Sequence, residues 1–185
     1  KALIPKGQLF LTNVCIESGS NSIISLLRKM DCIITIQKTR ICSFGSIGKI
    51  NIKKFNLVGQ KMDCKPLFQY IRQLPSMIIL VSFAKGQSVF RSLDELRNEM
   101  PSYINQMLKC IDIIGGRYGE MPDGIVIDGI NEYDGFDISK NYSAGLNAAC
   151  AVAGLKCNGK SNIADDSILH RWPQFSSIIN SVCNV

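Results

Sequence analysis

The segment Gly48–Gly59, GKINIKKFNLVG, constrains the fold more than any other part of the chain. Ile50, Ile52, Phe55 and Leu57 are separated by Lys49, Asn51, Lys53 and Lys54. A period of two is that of a β-strand with one face buried. Such a face needs a helix or a second sheet against it. The alternation breaks at Lys53-Lys54, which predicts a bulge or strong twist there, so that both flanks keep facing the core. The lysine face is solubilising unless an acidic partner meets it.

Around this strand the pattern alternates between the two periods. Ile4–Val14 fits a first strand, and 23–30 (IISLLRKM) a short helix. Cys32–Gln37 is β-branched and reads as a strand that forms a hairpin with Gly48–Gly59 across the turn ICSFGSIG. Leu67, Phe68, Ile71 and Leu74 fall at helical spacing, with Pro66 at the start and Pro75 ending the segment. Met77–Phe83, MIILVSF, is almost wholly apolar and reads as a strand buried on both faces. AKGQS is a turn. A helix is expected from Ser92, with Glu95 completing a capping box and Pro101 interrupting it. Residues 113–124 read as a loop, Ile125–Ile130 as a strand and NEYDGFDISKNYS as polar turns. AGLNAACAVAGLKC fits either a small-residue helix or a strand interrupted by glycine. The whole is an α+β chain of one domain, residues 1–185, with no internal repeat.

Eight cysteines, at 15, 32, 42, 64, 110, 150, 157 and 183, are spread over the chain. An even, scattered set suits a disulfide framework in an oxidising compartment. Cys15, Cys32, Cys42, Cys64, Cys110, Cys150, Cys157 and Cys183 are therefore disulfide candidates, in roughly a hundred possible connectivities. Buried cytosolic thiols are the alternative. There is no C-x-x-C pair and His170 is the sole histidine, which argues against a zinc site. The chain starts at Lys1, as a processed product does. Asn141-Tyr142-Ser143 is a glycosylation sequon, making Asn141 a candidate acceptor. The net charge of +6 comes from scattered lysines and arginines, which points to solvated faces rather than nucleic acid. No apolar run is long enough to span a membrane.

Catalytic chemistry has to use His170, with Asp165, Asp166 and Ser167 close in sequence. A triad is defined by geometry, and no G-x-S-x-G is present, so a surface histidine is the plainer reading. Asp123, Asp128, Asn131, Asp134 and Asp137 supply oxygens in a spacing unlike a calcium loop, and read as turn formers. Neither a metal nor a cofactor is called for. Tyr118, Asp134, Phe136 and Trp172 lie in or near polar segments, where aromatic rings offer contact area at low entropic cost. They are the candidate binding residues. Trp172 can equally pack over the core edge.

The order of strand, turn, strand ending in KKFNLVG, helix PLFQYIRQL, strand MIILVSF and helix SLDELRNEM resembles the interleukin-like EMT inducer (ILEI) family over about residues 30–130. RWPQF before Cys183 adds a weaker C-terminal likeness. Phe55-Asn56 stands where that family has Phe-Asp, and AKGQS replaces its acidic loop. The resemblance implies a β-sandwich-like α+β domain flanked by helices and stabilised by disulfides. It implies a secreted or lumenal, non-catalytic recognition module, with an extracellular protein receptor or a cell-surface glycan as partner. A secreted hydrolase is the third reading.

Overall fold

A computed structural model describes residues 8–16, 23–43, 45–53, 57–65, 71–130, 132–139, 142–164 and 167–183. In chain order they form β1 (Leu9–Ile16), α1 (Ile23–Lys29), β2 (Ile34–Cys42), β3 (Gly45–Ile52) and β4 (Lys61–Asp63). Then come α2 (Leu74–Ser82), β5 (Gly86–Arg91), α3 (Asp94–Glu99), α4 (Pro101–Ile113), β6 (Arg117–Met121) and β7 (Gly124–Gly129). The last are β8 (Asp137–Ile138), α5 (Ala144–Gly154), β9 (Asn162–Ile163), α6 (Ser167–Arg171) and α7 (Phe175–Cys183). The fold is mixed α+β, as the alternating periods require.

β2 and β3 form the expected hairpin, and β1 adds to the other edge of β3, giving the antiparallel order β1-β3-β2. The bulges fall at Leu11/Val14 in β1 and Lys38/Arg40 in β2. Lys54, Phe55 and Asn56 lie outside the described residues, so the bulge expected at Lys53-Lys54 does too. Ile50 and Leu57 are buried, Ile52 is half-buried, and Lys49 and Lys53 are exposed. The faces of the strand are therefore those the alternation dictates.

A second sheet has the order β4-β5-β7-β6, with β4 parallel to β5 and the other pairs antiparallel. Phe90 of β5 and Ile125 and Ile127 of β7 are fully buried. Two segments read as loops thus carry strands. AKGQS runs straight into β5, and the glycine-rich 113–124 region holds β6, hairpinned onto β7 through a turn at Pro122-Asp123. The turn residues mark the corners while cross-strand pairing claims what lies between them.

The main correction concerns Met77–Phe83. It lies in a helix, α2, eight of whose nine residues are buried. Pro75 does not end a helix but stands in the first turn of this one, where a missing N–H costs nothing. A helix surrounded by protein is apolar all round, and over seven residues that pattern cannot be told from a central strand. α2 lies against β7, α4 and α5. α4 in turn lies against β6. The layers meet through helices, and the expected sandwich of sheets gives way to a helical centre. Residues 66–70, the start of the expected 67–74 helix, are outside the described set. Ser92 is not a cap. It has φ of 60°, and the cap position falls on Leu93, which makes no side-chain bond. Pro101 opens α4, so the interruption expected at that proline is present. AGLNAACAVAGLKC resolves as a helix, with the Ser143 hydroxyl accepting the Leu146 N–H.

No disulfide forms among the described residues. Cys15, Cys32, Cys42, Cys64, Cys110, Cys150 and Cys157 are free thiols. Cys183 ends α7, and its side chain is outside the described set. Cys32, Cys64, Cys110 and Cys150 pack in the apolar core as small hydrophobic groups.

Candidate functional site

A groove of about 860 Å³ opens on the surface. It runs beside α2 and α5, which pack against each other. Ile79 and Leu80 of α2 and Gly145, Ala148, Ala149 and Val152 of α5 form an apolar floor. The small residues of α5 keep that floor low. Ile23 and Leu27 of α1 add to it. The opposite wall is the α6–α7 corner, with Arg171, Trp172, Pro173, Gln174, Phe175 and Ile178.

The polar groups are Arg72, Gln73, Ser76, Arg171 and Gln174. A short 3-10 turn over residues 71–73 leads into α2 and places Arg72 and Gln73 at its N-terminal end. Gln73 Oε1 is buried and has no hydrogen-bond partner among the described residues. Gly145 stands in the first turn of α5, so the positive ends of both helix dipoles border the groove. Among the described lining residues the ionisable ones are both arginines, so the groove sets cationic groups beside an apolar floor. The polar side chains named here can hydrogen-bond and orient a ligand.

Of the four candidate binding residues, Trp172 lines this groove, and the Arg171 guanidinium lies 5.6 Å from its ring centroid. The other three are elsewhere. Tyr118 is on β6 and donates its hydroxyl to Asp112 Oδ2 at 3.4 Å. Burial, with Asp112 beside it, raises its pKa. Asp134 bridges to Asn158, and burial together with Asp134 raises the Cys157 thiol. Phe136 is buried beside Gly154. His170 is exposed on α6 rather than in a loop. Asp123 pairs with Arg91 at 2.9 Å, and Asp137 accepts from Asn162 at 2.6 Å. Asn141, Asn131, Asp165 and Asp166 lie outside the described residues.

Arg72, Gln73 and Arg171 are the residues that sequence reading passes over. One signal was present: Pro75 one residue into an apolar run is a helix-start mark, and it puts Arg72-Gln73 at a helix N-terminus.

No family model matches the chain. Similar sequences are named 3-phosphoshikimate 1-carboxyvinyltransferase. The protein of that name from Desulforamulus reducens is 25% identical over 182 residues, 98% of this chain and 42% of its own length. That from Synechococcus elongatus is 24% identical over 162 residues, 88% of this chain and 36% of its own length. EPSP synthase from Acinetobacter baumannii superposes with a TM-score of 0.82 at 24% identity, over 97% of this chain and 42% of that one. The fold is that of part of EPSP synthase. The enolpyruvyl transferase NikO from Streptomyces tendae shares it more loosely, with a TM-score of 0.60, 12% identity and 85% of this chain covered. The chain spans about two fifths of the length of these relatives.

These likenesses replace the ILEI resemblance, which rested on reading α2 as a strand. The reading as a secreted, non-catalytic ligand or glycan module falls with it, because the similar proteins are bacterial carboxyvinyltransferases, that is, enzymes. The protein-receptor and cell-surface glycan partners, and the secreted or lumenal placement, lose the alignment that carried them. No helix among the described residues is long and apolar enough to cross a membrane.

Proposed function

We propose that this chain is part of a carboxyvinyl transferase acting on a phosphorylated, shikimate-like acceptor, and that the groove is its substrate-facing surface. The observation that carries the reading is the lining of the groove. Arg72, just ahead of α2, and Arg171, at the end of α6, both line it, with no carboxylate among the described lining residues. A phosphate or carboxylate gains charge-assisted hydrogen bonds from guanidinium groups and favourable dipole energy at helix N-termini. Trp172 offers the ring face for the carbon skeleton. Tyr118, Asp134 and Phe136 have no part in this site. The likeness to carboxyvinyltransferases over nearly the whole chain supports the reading from a second direction.

The share of the reaction assigned to this chain is binding and orientation. Among the described residues, the lining offers arginine, glutamine and serine side chains, which bind and orient. We also read residues 1–185 as one domain. One continuous apolar cluster joins Ile16 and Ile50 of the first sheet to Phe90 and Ile127 of the second and to Leu146 and Cys150 of α5, which supports that reading.

The test is calorimetric titration of the chain with 3-phosphoshikimate, with shikimate and inorganic phosphate as comparisons. Saturable binding is expected, tightest for 3-phosphoshikimate. Arg72→Ala and Arg171→Ala should each weaken it about tenfold or more, the scale of one charged hydrogen bond. If the folded chain shows no saturable binding, or if both variants bind as the parent does, the groove is not the substrate surface.

A further inference from the structure

Cys110 of α4 and Cys150 of α5 lie where these two helices meet, and both are fully buried. The Cys110 side chain is a close neighbour of the Cys150 thiol and raises its pKa, and burial adds to the effect. Tyr142, just ahead of α5, lies near both sulfurs, and its own hydroxyl is held protonated mainly by burial. The other described thiols have different surroundings. Cys157 donates to the Ala153 carbonyl oxygen. Cys32 and Cys64 are each buried beside an aspartate, Asp31 and Asp63. Cys15 and Cys42 sit on β1 and β2, on opposite sides of β3.

We propose that Cys110 and Cys150 are a disulfide site, closed by exchange with a small-molecule disulfide of the oxidised glutathione class. One cysteine, as thiolate, attacks a glutathione sulfur. The first glutathione leaves as thiolate and takes up the proton that the protein lost. The second cysteine then attacks the mixed disulfide at the protein sulfur and releases the second glutathione, again with one proton. The protein pair is oxidised by two electrons, and one oxidised glutathione is reduced to two thiols. Burial slows the first attack, because the thiolate is the nucleophile. Exchange therefore waits on local opening that frees the buried face of α5, made of Leu146, Asn147, Ala149, Cys150 and Ala153. Once closed, the bond ties α4 to α5 around the β6–β7 hairpin and restricts the unfolded chain.

The experiment maps thiols in the full chain by mass spectrometry. One sample is the native chain incubated with oxidised glutathione. A second is refolded from urea in the same reagent, so that both sulfurs are accessible as the core closes. Each is quenched in acid, alkylated and digested without reductant. A Cys110–Cys150 linked peptide, two hydrogens lighter than the reduced pair and lost with dithiothreitol, is expected in the refolded sample at least. In the Cys150→Ala variant that peptide should vanish and Cys110 should be recovered alkylated or glutathionylated. Mapping of the parent chain decides the matter even if that variant folds poorly. The proposal fails if neither sample yields the linked peptide, or if refolding favours another pair over Cys110–Cys150.

Discussion

The hydroxyl of Tyr133 donates to the carbonyl oxygen of Ser82 at 2.6 Å, across 51 residues of sequence. That oxygen ends α2 and also accepts the Ile130 N–H at 2.9 Å. The Tyr133 ring meets Phe83 edge to face, with centroids 4.7 Å apart. One side chain thus fixes the exit of the central helix against the strand that leaves the second sheet. Tyr133→Phe keeps the ring and removes the bond, while Ile130 still satisfies the carbonyl. The expected loss is about 1 kcal/mol. Tyr133→Ala also opens a cavity and should cost about 3–5 kcal/mol. Urea denaturation of the two variants checks this, and equal losses would show that the ring does not pack as described.

Alkaline stability follows from the same burial. Burial pushes Tyr103 and Tyr133 from an ordinary 10.0 up to about 12. Burial, with a neighbouring aspartate, pushes Cys32 and Cys64 from 9.0 up to about 12. In each case the charged form is the deprotonated one, and the folded state holds its proton to higher pH than the unfolded state. The stability this represents is fully present below pH 9.0 and is lost as pH rises towards about 12. Unfolding free energy measured at intervals across this range should fall steadily. Tyr103→Phe and Tyr133→Phe should each flatten the upper part of the decline. A profile that stays level would mean that these groups are more solvated than the structure places them.

Much of this architecture can be read from the chain, and the exceptions share a cause. The β2–β3 hairpin, β7, α1 and the break at Pro101 follow from local pattern and turn chemistry, because each shows one face to the core and another to solvent. α2 does not, because Ser76 is its one exposed residue and too little solvent face remains to imprint a period. β5 and β6 are hidden by glycines and polar residues that suit a loop equally well, and only pairing with β7 decides between the two. The groove is less legible still. Arg72 and Arg171 are nearly 100 residues apart in sequence. Nothing local marks them as neighbours of one cavity, whereas Trp172 could be singled out by residue type alone.

Two glycines of the second sheet should respond oppositely to a methyl group. A Cβ on Gly129 would come 1.6 Å from the Ala84 carbonyl oxygen, and backbone cannot retreat as a side chain can. A Cβ on Gly119 would meet nothing within 4 Å. Gly129→Ala should destabilise the chain by about 1–3 kcal/mol or more, the scale of overpacking, by prising β7 from the end of α2. Gly119→Ala, in β6, should be neutral or slightly stabilising, since it narrows the unfolded ensemble. Thermal melts of both variants test the register of β5, β7 and β6, and a mild Gly129→Ala would contradict it.

The last prediction concerns the strand with the alternating lysines. Ile50 pairs with Leu11 on β1 and Ile36 on β2, and is 7% exposed in the common core. Lys49, one residue away, points to the opposite face and is exposed. Lys53 is also exposed, although its backbone N–H donates to the Ile33 carbonyl oxygen at 3.1 Å. Ile50→Ala should cost about 2–5 kcal/mol, because the sheet on either side holds its place and leaves a cavity. Lys49→Ala and Lys53→Ala should change stability by less than about 0.5 kcal/mol, since no packed side chain is lost and the backbone bond of Lys53 remains. Chemical denaturation of the three variants measures the difference. A loss at Lys49 comparable to that at Ile50 would mean that the strand's faces are reversed, and a one-residue slip in the β1-β3-β2 register would be the physical explanation.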